Sequence, residues 1–249
     1  MGRRRSPPPL TIAKRRFVEF EQRGLTGKPL LWTVHRQQLL ADLEQWLSAD
    51  SDLRRRFASV PESVEMRIGF EGEPPVVVGL SDGRQLRFRG YADRVDRQQD
   101  SGTPIVLDYK TGKTSLKQVH LDADPVQAGT RLQLGLYAEA ARQRFDHQEA
   151  AAYYWYTSTP GDFRTLGYPF TPQVEQRFRD VLTTIVEGIE AGLFVLNSGE
   201  YSSFWSSFDN CRWCDFDSLC PRDRQKQASA KQRDPAAERY RMLLAEDEG

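Results

Sequence analysis

The sequence lacks a long apolar run and carries no net charge, and both absences limit the classes of protein to which it can belong. No run approaches the roughly 18 apolar residues that a membrane-spanning helix requires, so we expect no membrane protein. The start, Met1–Pro9, is basic and proline-rich but lacks the apolar core of a secretory signal. The chain has 35 lysine and arginine residues and 35 aspartate and glutamate residues, so its formal net charge is zero. Any affinity for nucleic acid must therefore come from a local patch of positive charge.

Cysteine is also scarce, and all three cysteines fall between Cys211 and Cys220. This distribution is unlike the disulfide framework of a secreted protein, and it predicts a reducing, cytoplasmic setting. With Cys214 between them, the cluster has the spacing C-x2-C-x5-C. Thiolates at such spacing bind zinc or an iron–sulfur cluster, and both usually take four ligands. The histidines all lie far from this cluster in the sequence, so the fourth ligand is not evident.

Hydrophobic periodicity divides the chain into helical and extended segments. Helical patterns lie at Trp32–Leu47, with a charged continuation to Phe57, at Thr130–Phe145 and at Thr171–Gly192. Strand patterns lie at Val64–Phe70, Val76–Leu80, Gln85–Arg97, Pro104–Thr111, Glu149–Thr157 and Phe163–Phe170. We predict loops at Lys113–Gly129 and Asn197–Asn210.

The order of these segments predicts the fold class. A helix, several strands and then an α-β-β-α succession are typical of an α/β (α+β) domain built around a mixed sheet. At 249 residues the chain is long enough for one sizeable domain. We expect a disordered basic tail at residues 1–10, a folded domain at residues 11–224 and a charged helical tail at residues 225–249.

The segment Gly90–Lys110 carries the clearest chemical signal. Two strand patterns flank a turn at residues 100–102 with the sequence Asp-Ser-Gly, which predicts a β-hairpin. On the second strand Asp108 and Lys110 lie two apart, so both side chains leave the same face. Asp93 lies on the first strand. The hairpin is therefore expected to bring two carboxylates and a lysine together.

Two neighbouring carboxylates repel each other unless a cation lies between them. Mg2+ is the natural candidate, because it takes oxygen ligands and usually keeps several waters. With a lysine to orient water or stabilise charge, the set suits metal-assisted hydrolysis of a phosphodiester. The alternative is a pair of surface strands with exposed charges, which is the commoner meaning of an isolated D-x-K.

Three further residues are candidates for the same site. Gln133 and Tyr137 lie four apart, and therefore on one face of the predicted helix, where the alternative is an ordinary helix edge. Glu65, at the start of the first strand, is either a solvated residue or a further carboxylate near the metal.

Together these segments resemble the RecB/AddB-type exonuclease domain of the PD-(D/E)XK nuclease superfamily. The matching pieces are Glu65, Gly90–Asp96, Val106–Gly112, Leu132–Tyr137 and the cluster Cys211–Cys220 with the proline after it. The resemblance spans roughly Trp32–Arg224. It implies a central mixed sheet flanked by helices. It also implies Mg2+- or Mn2+-dependent DNA cleavage in end processing and recombinational repair, in partnership with a helicase subunit or a helicase domain of a longer protein.

The resemblance also implies roles for individual residues. Asp93 and Asp108 would bind the metal, together with the Tyr109 carbonyl and Glu65, and Lys110 would orient or activate water. Gln133 and Tyr137 would position substrate or metal-bound water. Apart from the resemblance, we expect contacts to DNA phosphates from Arg94, Arg97 and Arg131. The residues proposed to join one N-terminal cysteine around a [4Fe–4S] cluster are Cys211, Cys214 and Cys220.

The front of the sequence departs from the family pattern. No cysteine precedes Cys211, and His35 follows Thr33-Val34 instead of belonging to a Gly-x-x-His motif. The fourth cluster ligand is therefore missing from this chain. We expect the chain to be a C-terminal piece of a longer protein, or one whose start has been assigned too late.

Two alternative functions follow from the same residues. The first is a non-catalytic DNA-binding or scaffold fragment of a helicase–nuclease, which would bind DNA in a salt-sensitive way without turnover. The second is a nuclease of CRISPR spacer acquisition, which shares the cysteine arrangement and the fold. The AddB-like spacing and the long helix Thr171–Gly192 favour the helicase-associated nuclease.

Overall fold

A computed structural model of the chain describes residues 8–231 and 233–245. The helices are α1 (Pro9–Gln22), α2 (Pro29–Phe57), α3 (Gln118–Ala123), α4 (Gln133–Phe145), α5 (Pro172–Glu190), α6 (Arg224–Lys231) and α7 (Glu238–Ala245). The strands are β1 (Ser59–Ile68), β2 (Val76–Gly79), β3 (Gln85–Phe88), β4 (Gly90–Gln98), β5 (Pro104–Lys110), β6 (Ala151–Tyr156), β7 (Thr165–Pro169), β8 (Tyr201–Ser202) and β9 (Ser207–Phe208). None of the described helices is both long and apolar enough to span a bilayer.

The chain divides into two compact units. The first takes residues up to 76, 88–118 and 134–171, and the second takes residues 77–87, 119–133 and 172 onward. The first unit contains a five-stranded sheet in the order β1-β4-β5-β6-β7. Strands β5 and β6 are parallel and their neighbours are antiparallel, so the sheet is mixed. The predicted α/β class with a mixed central sheet flanked by helices is confirmed.

The middle strand, β5, is covered on both faces. Its residues 104–108 are all buried, as expected for a strand with an almost continuous apolar run. Helix α2 covers one face, where Leu53 packs in a core cluster with Ile105, Leu107 and Trp155.

Two ring contacts fix the direction of α2. Midway along the helix the Trp46 ring lies 6.1 Å from the Tyr109 ring, and at its end the Phe57 ring lies 5.0 Å from the Tyr153 ring. Because Tyr109 is near the end of β5 while Tyr153 is near the start of the parallel strand β6, α2 runs antiparallel to both strands.

The opposite face of the sheet is apolar in its centre. Val95, Val106 and Ala152 are fully buried there. Helix α4 has its own buried stripe and is tied to the sheet by the Tyr137 hydroxyl, which donates to the Tyr91 carbonyl oxygen at 2.7 Å. The helix therefore holds its Tyr137 side chain over β4.

A buried ion network lies beneath α2. The Arg94 guanidinium donates to Asp50 at 2.6 Å and to both carboxylate oxygens of Asp96 at 2.5 and 2.8 Å. It also lies 5.8 Å from the centre of the Trp155 ring. Burial alone would lower the pKa of Arg94, but its hydrogen bonds to Asp96, Tyr109 and Asp50 outweigh burial and raise that pKa. Arg94 therefore stays charged in the interior and joins α2 to β4.

In the second unit, α5 supplies the apolar side chains Phe178, Val181 and Leu182. Arg177 of α5 pairs with the buried Asp124, at 3.0 Å between Nη2 and Oδ2. Burial opposes ionisation of Asp124, but Arg177 and two backbone N–H groups outweigh it and lower the pKa of that carboxyl. The predicted helix at Thr171–Gly192 is thus confirmed as α5.

Several predicted boundaries are wrong. The predicted loop Lys113–Gly129 contains α3, whose six residues are too few to show a period. The predicted loop Asn197–Asn210 contains β8 and β9. The single strand predicted at Gln85–Arg97 is broken at Arg89, because β3 pairs with β2 while β4 enters the central sheet.

Of the predicted tail at residues 1–10, residues 1–7 lie outside the described residues. Its last two residues belong to α1, which has proline at its first position, where a missing N–H costs no hydrogen bond. The predicted helical tail at residues 225–249 contains α6 and α7, and residues 232 and 246–249 lie outside the described part.

The buried ion network generates a stability prediction. Arg94→Met should lower the free energy of unfolding by about 3–5 kcal/mol, because it leaves Asp96 buried without a cation and Asp50 with only Arg54. Arg55→Met is the matched control, since Arg55 forms an exposed pair with Asp52 and should cost less than about 1 kcal/mol. Urea unfolding of both variants measures the difference, and equal losses would contradict the structural role of Arg94.

Candidate active site

The two predicted metal ligands lie on neighbouring strands. The antiparallel register pairs Arg94 with Leu107, so the next position of each strand sets Asp93 opposite Asp108. The two side chains leave the same face of the sheet, and the charge of Asp93 is close enough to act on the Asp108 carboxyl. The hairpin therefore presents the two carboxylates side by side.

The β4–β5 ladder stops at this point. The last paired residues are Arg94 and Leu107, and the backbone N–H of Tyr109 donates to Asp93 Oδ2 at 2.7 Å. A side chain thus replaces a backbone carbonyl as the acceptor. This bond fixes the Asp93 carboxylate at the end of β5.

Lys110 completes the cluster. Its Nζ lies 2.5 Å from Asp108 Oδ2 and 5.1 Å from the centre of the Tyr154 ring on the neighbouring strand β6. The Asp108 side chain is 5% exposed and the Lys110 side chain 36%, so the lysine lies between the buried carboxylate and solvent. Burial raises the pKa of Asp108, the Lys110 cation opposes that effect, and the charge of Asp93 adds to it.

Tyr154 could not be singled out from the sequence. The pattern shows it only as part of a tyrosine-rich strand, because its place beside Lys110 depends on the parallel register of β5 and β6. That register sets Asp108 opposite Tyr154, and nothing local to either strand predicts it.

The other candidates occupy separate positions. The Tyr109 ring packs against Trp46 on the α2 side, so only its backbone is at the carboxylate side. Tyr137 is held over β4 by its bond to Tyr91, as described above. Gln133 is the first residue of α4 and shares a helix face with Tyr137.

Glu65 lies opposite Asp93 when the register between β1 and β4 is counted from its two neighbours. Its neighbours Val64 and Met66 pair with residues 94 and 92, and Glu65 itself is exposed with a φ of +49°. This left-handed conformation is uncommon outside glycine and interrupts the regular strand. Its role near a metal stays a prediction.

The three arginines that are predicted to contact DNA differ in how far their side chains are exposed to solvent. Arg94 is only 4% exposed and is paired with two carboxylates, so its assignment to DNA phosphates is wrong. Arg97 donates to the Gly102 carbonyl oxygen at 3.2 Å and is half-buried. Arg131 belongs to the second unit and is also half-buried. The contacts proposed for Arg97 and Arg131 stay predictions.

The cysteines lie in the second unit. Cys214 is exposed, while Cys211 and Cys220 are half-buried and none of the three forms a disulfide. A [4Fe–4S] cluster takes four ligands, and this chain has three cysteines. The residues present therefore do not fit the predicted cluster.

Asp93 and Asp108 do fit a Mg2+ ion. Among the residues that the structure describes, no set of three or more His, Cys, Asp or Glu side chains is placed to hold a metal. Mg2+ needs fewer protein ligands, because it commonly binds one or two carboxylates and completes its octahedron with water and substrate phosphate. A cation between Asp93 and Asp108 would also offset their mutual repulsion.

Comparison with known proteins identifies the family of the chain. A family model described as the PD-(D/E)XK nuclease superfamily matches residues 6–221. That match covers most of the chain, and the chain belongs to this superfamily.

Curated relatives make the likeness more specific. The chain is similar to an ATP-dependent helicase/deoxyribonuclease subunit from Clostridium tetani, at 33% identity over 34% of this chain and 7% of that protein. It is similar to the protein of the same name from Anoxybacillus flavithermus, at 39% identity over 36% of this chain and 8% of that one. The matched part is thus less than a tenth of the length of these relatives.

The chain also has a likeness among solved structures. The crystal structure of SSO0001 matches at 16% identity over 84% of this chain and 80% of that one, with a TM-score of 0.32. A TM-score this low does not establish a shared fold.

The raised pKa of Asp108 predicts that its ionised carboxylate lowers the stability of the fold. A carboxyl whose pKa is raised on folding costs stability when ionised, and that cost disappears as the pH falls below its unfolded pKa. In EDTA-containing buffer, Asp108→Asn should therefore raise the free energy of unfolding by about 0.5–2 kcal/mol at pH 7.5 and by little at pH 3.5.

Asp100→Asn is the control for this measurement, because Asp100 is exposed in the turn after β4. Denaturant unfolding at the two pH values separates the variants. A loss of stability for Asp108→Asn at pH 7.5 would show that the Lys110 ion pair outweighs the cost of burial.

Proposed function

We propose that this chain is a Mg2+- or Mn2+-dependent deoxyribonuclease domain that hydrolyses phosphodiester bonds. The observation that carries the proposal is the cluster of Asp93, Asp108 and Lys110 at the end of β5. Membership of the nuclease superfamily supports the reaction class. The names of the relatives, which include deoxyribonuclease, support DNA as the substrate.

Each member of the cluster has a distinct task in this proposal. Asp93 and Asp108 would hold the divalent cation, which supplies Lewis-acid activation of the phosphate and of water. The Tyr109 N–H orients the Asp93 carboxylate through its 2.7 Å bond, so Asp93 needs no reorganisation to present its oxygens. The Lys110 ammonium, which pairs with Asp108 in this structure, would orient water or stabilise the negative charge that develops on the phosphate.

The biological setting is a further part of the proposal. The relatives are named as subunits of an ATP-dependent helicase/deoxyribonuclease, so we propose exonuclease action during DNA end processing and recombinational repair, with a helicase as partner. Tyr137 and Gln133 would position substrate or metal-bound water from α4.

The nuclease proposal predicts a clear loss of activity in two variants. Asp108→Asn and Lys110→Met should each lower the rate of cleavage of end-labelled linear DNA by about 100-fold or more, since each removes a charge that acts on the reacting phosphate. Wild-type cleavage should require Mg2+ or Mn2+ and stop in EDTA. The assay is product release on a denaturing gel under single-turnover conditions.

Matched controls separate catalysis from general charge effects. Asp100→Asn and Lys231→Met remove the same charges from exposed positions and should cut as fast as wild type. If a folded, metal-supplemented wild-type protein binds DNA but cuts none, the chain is a binding module and the catalytic assignment fails. Equal cleavage by Lys110→Met and wild type would remove Lys110 from the mechanism.

A further inference from the structure

The first 29 described residues form a strongly basic helical hairpin. It consists of Pro8, α1, the turn at residues 23–28 and the first two turns of α2 up to Arg36, and we call it the basic hairpin. It holds six lysine and arginine residues against two glutamates, a net charge of +4 in a chain whose net charge is zero. The exposed cations are Lys14, Arg15, Arg16, Arg23, Lys28 and Arg36.

Internal ion pairs satisfy only part of this charge. Glu19 pairs with Arg16, and Glu21 accepts from Arg36 at 3.0 Å and from the Trp32 indole N–H at 2.6 Å. Both glutamates are thus occupied in holding the hairpin together.

The remaining cations face solvent. In the part of the chain that the structure describes, no ion pair with a carboxylate involves Lys14, Arg23 or Lys28. Long basic side chains kept apart from acidic neighbours raise the local positive potential and favour a polyanionic partner.

The hairpin is fixed to the first unit. The Phe17 ring meets the Trp32 ring edge-on at 5.4 Å, which docks α1 on the start of α2. Further along α2, Asp42 accepts hydrogen bonds from the backbone N–H and the hydroxyl of Thr159, just after β6. The hairpin therefore has a defined position relative to the sheet.

That position is beyond the catalytic end of β5. Since α2 runs antiparallel to β5 and its Trp46 lies beside Tyr109, the residues before Trp46 extend past the strand end that carries Asp108 and Lys110. At about 1.5 Å per residue, Arg36 lies roughly 15 Å and Lys28 roughly 27 Å from Trp46 along the helix. These lengths correspond to about 4–8 base pairs of DNA at ~3.4 Å per step.

A groove of about 470 Å3 lies between the hairpin and the strand ends. Its walls come from α2, from β5 and from the segment after β6, and they include His35, Leu39, Trp46, Tyr109, Thr111 and Ser158. Among the described residues that line this groove there is no lysine or arginine, and its Trp46 and Tyr109 walls lie on the α2 side of the sheet.

We propose that the basic hairpin is a DNA-backbone contact surface, in which Lys28 holds a substrate phosphate about 8 base pairs beyond the strand end that carries the cut site. The cut-site distance rests on the proposed nuclease function, while the binding itself does not. The principal contacts are Lys14, Arg23 and Lys28. They bind the charged phosphates and do not distinguish one base sequence from another. They take the role that the sequence pattern assigns to Arg94.

The test is the triple variant Lys14→Gln, Arg23→Gln, Lys28→Gln in the full chain. Its affinity for a 20-base-pair blunt duplex, measured by fluorescence anisotropy in EDTA, should fall about tenfold at 0.1 M salt. The slope of log affinity against log salt concentration should become shallower by about 2–3, because each lost phosphate contact removes ~0.9 from it. In Mg2+, KM for DNA should rise while kcat stays within about twofold.

The matched control carries Arg222→Gln, Lys226→Gln and Arg233→Gln, which remove three exposed cations from the C-terminal region. It changes the net charge of the chain equally and should keep the wild-type salt slope. Melting temperatures establish that both triples are folded, and a single variant, Lys28→Gln, gives a shallower slope by about 1 should the hairpin triple unfold.

Equal losses in both triples would overturn the proposal, because they would reflect overall charge and not the hairpin. An unchanged affinity in the hairpin triple would also overturn it and would leave the hairpin as a surface for a protein partner. Binding in EDTA needs no catalysis. A hairpin-dependent affinity without cleavage in Mg2+ would therefore refute the nuclease function alone, and cleavage with a hairpin-independent affinity would refute this inference alone.

Discussion

The alternation of side chains along β5 is the constraint on which the site and the core both depend. Because the strand is covered on both faces, every second residue must suit a different environment. Leu107 and Tyr109 belong to the face beneath α2, while Asp108 and Lys110 belong to the face of Asp93. A register slip of one residue would send the charged pair into the apolar cluster around Trp155. The core therefore enforces the geometry of the site.

Two buried charge clusters lie within a few residues of each other and have opposite consequences. Around Arg94 the cation is matched by Asp50 and Asp96, so burial is compensated and the cluster joins α2 to β4. Around Asp108 the partly exposed Lys110 stands against two carboxylates, and the pKa of Asp108 is raised. The first arrangement is suited to stability. The second keeps an excess of negative charge at the strand end, which is what a divalent cation requires.

The cluster at β5 and the basic hairpin complement each other electrostatically. The carboxylates would bring metal to the scissile phosphate but would repel the rest of a nucleic acid backbone. The cations of residues 8–36 lie farther along α2, where they would attract that backbone without neutralising the site. This separation explains how a chain with no net charge could act on a polyanion. In these proposals affinity would belong to one element and chemistry to another, so each could be removed separately by mutation.

Local patterns in the sequence determined the hairpin at Gly90–Lys110, the shared face of Asp108 and Lys110, the long helices α2 and α5, and the mixed α/β class, since each depends on the period of a single strand or helix. They did not show that Arg94 is buried while Arg97 is only half-buried, because the sequence of a strand does not reveal which of its faces α2 covers. Neither α3 nor the break at Arg89 had a local signal. Tyr154 beside Lys110, Asp50 beside Arg94 and the projection of the basic hairpin past β5 were decided by tertiary structure alone. Each depends on the register or direction of elements far apart in the chain, and the free energy that selects these arrangements comes from packing between elements and not from the residues within any one of them.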